Sequence, residues 1–377
     1  MNKKSKPSAY TLPASQLQKI IDLLHEQGYT VIGPQRQDNA IIYDEITSTD
    51  ALPAGWTDVQ EGGTYQLQRR DDDAWFGYAV GPHSWKQFLF PAKKKLFTIE
   101  RETFRAQAEP ADKTRYAFLG VRSCELHAIA IQDKVFRDGP YADPAYSRLR
   151  NNAFFIAVNC TEPAATCFCS SMNTGPGAES GYDLLLTELI DSGQHEFLIS
   201  SASAKGRALL GKMELPEATP AARERGQELL ARAADKMHRR MDAEKARKLL
   251  LANPEHPHWQ ELGARCLSCA NCTMVCPTCF CSTVEDVTSL TGDTAERWRR
   301  WDSCFTMGHS YIHGGHIRSS GAARYRQWLT HKLATWVDQF GVSGCVGCGR
   351  CITWCPVAID VTEEITKFEP VTQETAA

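Results

Sequence analysis

The chain has no long apolar run. Stretches such as Ala153–Val158 are strand-sized, far short of the roughly 20 residues that span a bilayer as a helix. It carries no excess charge of one sign: the formal net charge is −3 over 377 residues, so no nucleic-acid footprint shows. The N-terminus, Met1-Asn-Lys-Lys-Ser-Lys-Pro7, is basic, but no apolar segment follows as a secretory signal requires. There is no G-x-G-x-x-G after a predicted strand, no Walker loop and no Ser/His/Asp order. The common nucleotide cradles and nucleophilic sites are therefore missing. These absences point to a soluble cytoplasmic protein of two or three domains, with enough chain for a real core.

Cysteine, by contrast, is abundant. Fifteen occur, an odd number in short spacings, which argues for metal centres in a reducing compartment and against disulfides. Eight lie in two runs, Cys266-Leu-Ser-Cys269-Ala-Asn-Cys272-Thr-Met-Val-Cys276-Pro277 and Cys345-Val-Gly-Cys348-Gly-Arg-Cys351-Ile-Thr-Trp-Cys355-Pro356. Both follow C-x-x-C-x-x-C-x-x-x-C-P, the spacing in which three thiolates hold one cubane and the fourth ligates the other. Cluster one is thus assigned to Cys266, Cys269, Cys272 and Cys355, and cluster two to Cys345, Cys348, Cys351 and Cys276. A zinc ribbon would use two C-x-x-C pairs, not two runs of four closed by proline.

Along the rest of the chain, Leu17, Ile20, Ile21 and Leu24 predict a helix over 14–27 that Gly28 ends. Tyr29–Ile32, Ala40–Ile46 and Thr64–Gln68 read as strands. Trp85–Phe97 joins aromatics to Lys93-Lys94-Lys95, either a solvated edge beside a core or an anion-binding or docking face. Tyr116–Val121 and Ala153–Val158 are strands of the buried type. Each leads straight to a cysteine, Cys124 and Cys160, at the strand end where open α/β sheets bind ligands. With Cys167 and Cys169 on the next loop, these four predict a third [4Fe–4S] site if the strands are parallel neighbours; otherwise they are small buried hydrophobes or a redox-inert loop staple. Gly175-Pro-Gly177 resembles a phosphate loop only superficially and reads as a flexible loop. Asp183–Leu189 and Glu196–Ser200 are further strands, and Pro220–Leu251 is charged and helical. The insert between the cysteine runs, Pro277–Gly344, carries Cys279, Cys281 and Cys304, which serve as further ligands or as thiols shielding the clusters. His309, His313 and His316 lie in a Gly-rich turn of that insert.

The expected class is α+β. An N-terminal α/β domain spans 1–215 and a helical linker spans 216–258. An α-helical ferredoxin-like domain with two [4Fe–4S] clusters spans 259–377, its helices including Tyr325–Phe340.

With these residues in view, the chain resembles the beta subunits of cytoplasmic sulfhydrogenase-type [NiFe] hydrogenases and the related iron–sulfur subunits of anaerobic sulfite reductases. The matching pieces run from about Pro82 to Asp360. They are Phe90-Pro-Ala-Lys-Lys-Lys-Leu-Phe97, Gly120-Val-Arg-Ser-Cys124-Glu-Leu126, the Cys160…Cys169 loop, Cys276-Pro-Thr-Cys279-Phe-Cys281, Arg300-Trp-Asp-Ser-Cys304, Gly314-Gly-His316 and the two cysteine runs. The chain departs from that pattern at Lys94 and at Ser319-Ser320. The resemblance implies an anaerobic electron-transfer subunit. It would relay electrons between a flavin- and NAD(P)-binding diaphorase-type partner and the small and large subunits that hold a [NiFe] centre, or a siroheme partner. The paired C-x-x-C motifs of a [NiFe] centre are absent here. The competing readings are a self-sufficient flavin or NAD oxidoreductase and a zinc-bound structural module.

Overall fold

A computed structural model describes residues 9–191 and 193–369. The N-terminal half supplies β1 (Ala9–Pro13), β2 (Thr30–Gln37), β3 (Ala40–Glu45), β4 (Trp56–Glu61), β5 (Thr64–Arg69), β6 (Lys93–Glu100) and β7 (Ala106–Ala108). It continues with β8 (Tyr116–Val121), β9 (Phe154–Val158), β10 (Leu184–Asp191) and β11 (Gln194–Ser201), and the insert adds β12 (Ser282–Thr288) and β13 (Thr294–Trp301). The main sheet runs β1-β11-β10-β9-β8-β2-β3, with β2, β8, β9 and β10 parallel at its centre. Sequence logic explains the central strands. Phe154, Ile156 and Val158 enter one core with Ile20, Leu24 and Phe197, while Phe155 and Ala157 enter another with Trp85, Leu126 and Ile129. Side chains alternate across a strand, so a sheet covered on both faces needs apolar residues at every position. The helix Leu17–Glu26 covers one face and ends before Gly28, whose φ is +76°.

Two expectations change. Pro220–Leu251 is not one helical stretch but two helices, Pro220–Asp235 capped by Thr219 and Ala243–Ala252 capped by Asp242. The cap at Asp242 offers the backbone an alternative to continuing the first helix. It also lets Met237 and Met241 enter different cores. Within the insert, the expected helical run exists as Gly321–Thr330, a π-helical turn His331–Thr335, and Trp336–Phe340. Ser320, at a departure from the family pattern, caps it through Ala323 N. The preceding residues are not helical: β12 and β13 form a hairpin, and β13 pairs antiparallel with β6 from the N-terminal half. The Lys93–Lys95 triplet therefore lies in a strand and pairs with Trp298–Arg300 of β13, while β7 flanks only Phe97–Ile99 of that strand; Lys93 lies over the Trp298 ring at 4.1 Å. Among the described residues no helix is long and apolar enough to cross a membrane.

Candidate metal centres

The two cysteine runs fold alike. Ser268 and Ala270 have φ of 53° and 68°, and Gly347 and Gly349, at the matching places of the second run, have 64° and 74°. Each run then enters a four-residue helix, Asn271–Met274 or Arg350–Thr353, shortly before its fourth cysteine. The left-handed turns bring amides to sulfur. Ser268 N donates to Cys266 Sγ and Gly347 N to Cys345 Sγ, both at 3.4 Å. Ile359 N donates to Cys355 Sγ at 3.3 Å.

Cys266, Cys269, Cys272 and Cys355 line one cavity, together with Cys351, under an apolar wall that includes Phe305, Tyr325 and Trp328. Cys269 is exposed. Cys276, Cys345 and Cys348 do not line this cavity. Burial pushes the Cys351 thiol well above its ordinary range, and Cys345, Cys348, Cys276 and Cys272 are near enough to push it further. Cys351 thus faces both sets.

A second thiol cavity sits at the C-terminal ends of β8 and β9, which are parallel neighbours. Cys124, Cys160, Cys167 and Cys169 all line it, with Cys348, Arg122, Gly175, Pro176 and Met237. The Cys160–Cys169 loop is fastened to the second cysteine run. Phe168 N donates to Gly347 O at 2.8 Å, Thr174 Oγ1 to Val346 O at 2.6 Å, and the Thr166 and Thr353 hydroxyls meet at 2.8 Å. Gly175-Pro-Gly177 is not a free loop: Cys160 N donates to Pro176 O at 3.2 Å, and Ala178 N to Asn159 Oδ1 at 2.9 Å. Burial pushes the Cys124, Cys160 and Cys167 thiols up, and bound metal reverses that penalty by supplying the counter-charge for thiolates. Among the described residues no three His, Cys, Asp or Glu side chains group around a single metal ion. The thiols stand around cavities instead, and a cubane, whose ligands bind different irons, suits such an arrangement.

The remaining thiols divide. A hydrogen bond with Cys279 holds the Cys276 thiol well below its ordinary range, against burial and with help from Lys332. Cys281 contacts Cys304 and His309, and these hydrogen bonds lower its thiol to about 4. His309 Nδ1 is 2.8 Å from Asp302 Oδ2. His316 lies apart, on a two-strand ladder with Tyr311.

Several contributors were not visible in the sequence. Arg350 Nη2 donates to Glu125 Oε1 at 2.6 Å with both side chains buried, and Trp85 Nε1 donates to Glu125 Oε2 at 2.7 Å. This ties the residue after Cys124 to the one before Cys351. Lys86 is buried too and donates to Cys276 O at 3.0 Å and Cys279 O at 3.2 Å. Met237 Sδ is 3.7 Å from Cys169 Sγ. Glu125 and Arg350 each adjoin a cysteine in the sequence, but nothing there marks either charge as buried, and Lys86 carried no signal.

A family model described as a 4Fe-4S dicluster domain matches residues 265–359, a description that implies two [4Fe–4S] clusters. Sulfhydrogenase 2 subunit beta of Pyrococcus furiosus is 30% identical over 333 residues, 88% of this chain and 89% of that protein. No solved structure matches.

Proposed function

The chain belongs to the sulfhydrogenase beta-subunit family and is an iron–sulfur electron-transfer protein, and from that premise we propose that it is the relay of a cytoplasmic [NiFe] hydrogenase. In this reading it connects a flavoprotein diaphorase-type subunit with the hydrogenase small and large subunits. Cys266, Cys269, Cys272 and Cys355 hold cluster one; Cys276, Cys345, Cys348 and Cys351 hold cluster two; Cys124, Cys160, Cys167 and Cys169 hold a third [4Fe–4S] cluster. Cys279, Cys281 and Cys304 stand beside the clusters without holding iron. The dicluster domain is of the α-helical ferredoxin type over 259–377, reached through the helices of 216–258 from an α/β domain over 1–215.

The observation that carries the reading is the serial arrangement of thiols. Cys351 faces both dicluster sets, and Cys348 of the second set also lines the Cys124 cavity. Bound [4Fe–4S] clusters supply one-electron transfer. The chain's part is to hold the thiols in series, aim amides at their sulfurs and exclude water with Phe305, Tyr325, Trp328 and Met237. Anaerobic affinity purification from the native cell, with mass spectrometry of copurifying chains, tests the endpoints. Hydrogenase small and large subunits with a flavoprotein are expected. A siroheme protein would instead move the relay to sulfite reduction, and a chain that purifies alone with flavin would make it a self-sufficient oxidoreductase.

A further inference from the structure

We propose that Lys332 is the built-in counter-charge of cluster two, its ammonium hydrogen-bonding the Cys276 sulfur and raising the potential of the cluster that sulfur holds. This rests on the reading of Cys276 as a ligand of cluster two. Lys332 lies in the π-helical turn His331–Thr335, between Gly321–Thr330 and Trp336–Phe340. Such turns insert one residue into a helix and re-aim its side chains, often at functional sites. The side chain is buried. Its Nζ reaches Thr278 Oγ1 at 3.0 Å, Gly344 O at 3.1 Å and Cys276 Sγ at 3.4 Å. Three acceptors match the three N–H bonds of an ammonium. The groups near it that can carry negative charge are cysteines, Cys276, Cys279 and Cys345, once they are thiolates. A buried ammonium requires a negative partner, and here that partner is the thiolate-ligated cluster.

A fixed positive charge in a poorly solvated site favours the more negative, reduced state of a nearby cluster, and hydrogen bonds to ligand sulfur act in the same direction. Among the described residues cluster one has no side-chain cation hydrogen-bonded to a ligand sulfur; Arg265 lies near Cys355, but Glu364 at 2.8 Å matches its charge. The sulfurs of cluster one accept backbone amides from Ser268 and Ile359. Arg350 also approaches Cys348, but its charge is matched by Glu125 at 2.6 Å. Lys86 supports the same turn from the N-terminal half through the Cys276 and Cys279 carbonyls, with Nζ over the Trp301 ring at 3.9 Å. It does not reach the sulfur, so Lys332 is the residue to test.

The experiment is a spectroscopically monitored redox titration of the full, cluster-loaded chain. Lys332→Met is expected to shift one cluster's reduction equilibrium at least tenfold toward the oxidised form, about 59 mV lower for one electron. Lys332→Arg should keep that cluster within tenfold of wild type. A Met variant that retains its iron and moves no midpoint by tenfold overturns the inference. Loss of about four irons per chain from the Met variant but not the Arg variant supports it, and loss from both overturns it in favour of a packing role. Cys276→Ala paired with Cys279→Ala separates the two layers. If that double variant keeps all its iron, the ligand reading fails; if it loses iron while Lys332→Met is silent, only the role of Lys332 fails.

Discussion

The Glu125–Arg350 pair shows how much a single residue can carry. Glu125 accepts from Arg350, from Trp85 and from its own helix start at Arg122 N. Arg350 also donates to Gly81 O at 2.8 Å and His83 O at 2.9 Å. Removing one partner of a buried pair strands the other charge, so Glu125→Ala should destabilise the protein by about 3–5 kcal/mol, measured by denaturant unfolding. Glu125→Gln should cost less, because it keeps an acceptor for Arg350. Next to this pair, burial holds His83 below its ordinary range, and the Arg350 charge adds to the effect. The folded state therefore binds a proton on His83 less readily than the unfolded chain does. That leaves stability intact above the unfolded value of about 6.5, and stability falls as pH drops from there toward the folded value. His83→Gln should flatten this part of the acid limb in unfolding midpoints measured against pH. None of this was legible from the residues alone. Eight cysteines announce themselves by spacing, but Glu125, Arg350, Lys86 and Lys332 look like ordinary surface charges until the fold buries them.

At the scale of elements, the docking of loop on loop decides whether the thiol cavities adjoin. A Cβ added to Gly347 would stand 2.7 Å from the Cys169 backbone, at a φ of +64°. Gly347→Ala should therefore combine a left-handed penalty of about 1–2 kcal/mol with an overpacking cost of about 1–3 kcal/mol. Gly28→Ala is the control: its φ is +76° but its Cβ would meet nothing within 4 Å, so only the first penalty applies. If the two variants unfold at equal midpoints, the close approach at Gly347 has no energetic weight. Elements with a clean period were readable, namely the first helix, the two apolar strands ending at Cys124 and Cys160, and the helical run through Trp328 and Trp336. The β12–β13 hairpin was not, because Thr294–Trp301 alternates weakly and owes its strand form to pairing with β6, about 200 positions earlier. The break before Asp242 was missed for a similar reason: local composition favours helix throughout, and Met237 and Met241 settle into separate cores.

Across the whole molecule, the N-terminal sheet and the cysteine runs form one scaffold. The first half contributes the Cys124–Cys169 thiols, the Glu125 carboxylate, the Lys86 ammonium and strand β6; the second half contributes the partner of each. The hairpin β4–β5 adds another tie, with Gly63 N donating to Ile352 O at 3.1 Å and Tyr65 stacked on Trp354 at 5.3 Å between ring centres. In such a scaffold a third cluster would share a wall with the second through Cys348, yet its four proposed ligands belong to the first half alone. Cys160→Ser is thus the decisive whole-molecule variant. The anaerobically loaded chain should hold about twelve irons, and the variant about eight, with the dicluster signals retained. Cys304→Ala should leave the count unchanged, since Cys304 pairs with Cys281 outside both thiol cavities. A wild-type count of about eight, the same in Cys160→Ser, would remove the third cluster. Cys124, Cys160, Cys167 and Cys169 would then be a buried thiol lining that fastens the α/β sheet to cluster two, and the relay would run through the two dicluster sites alone.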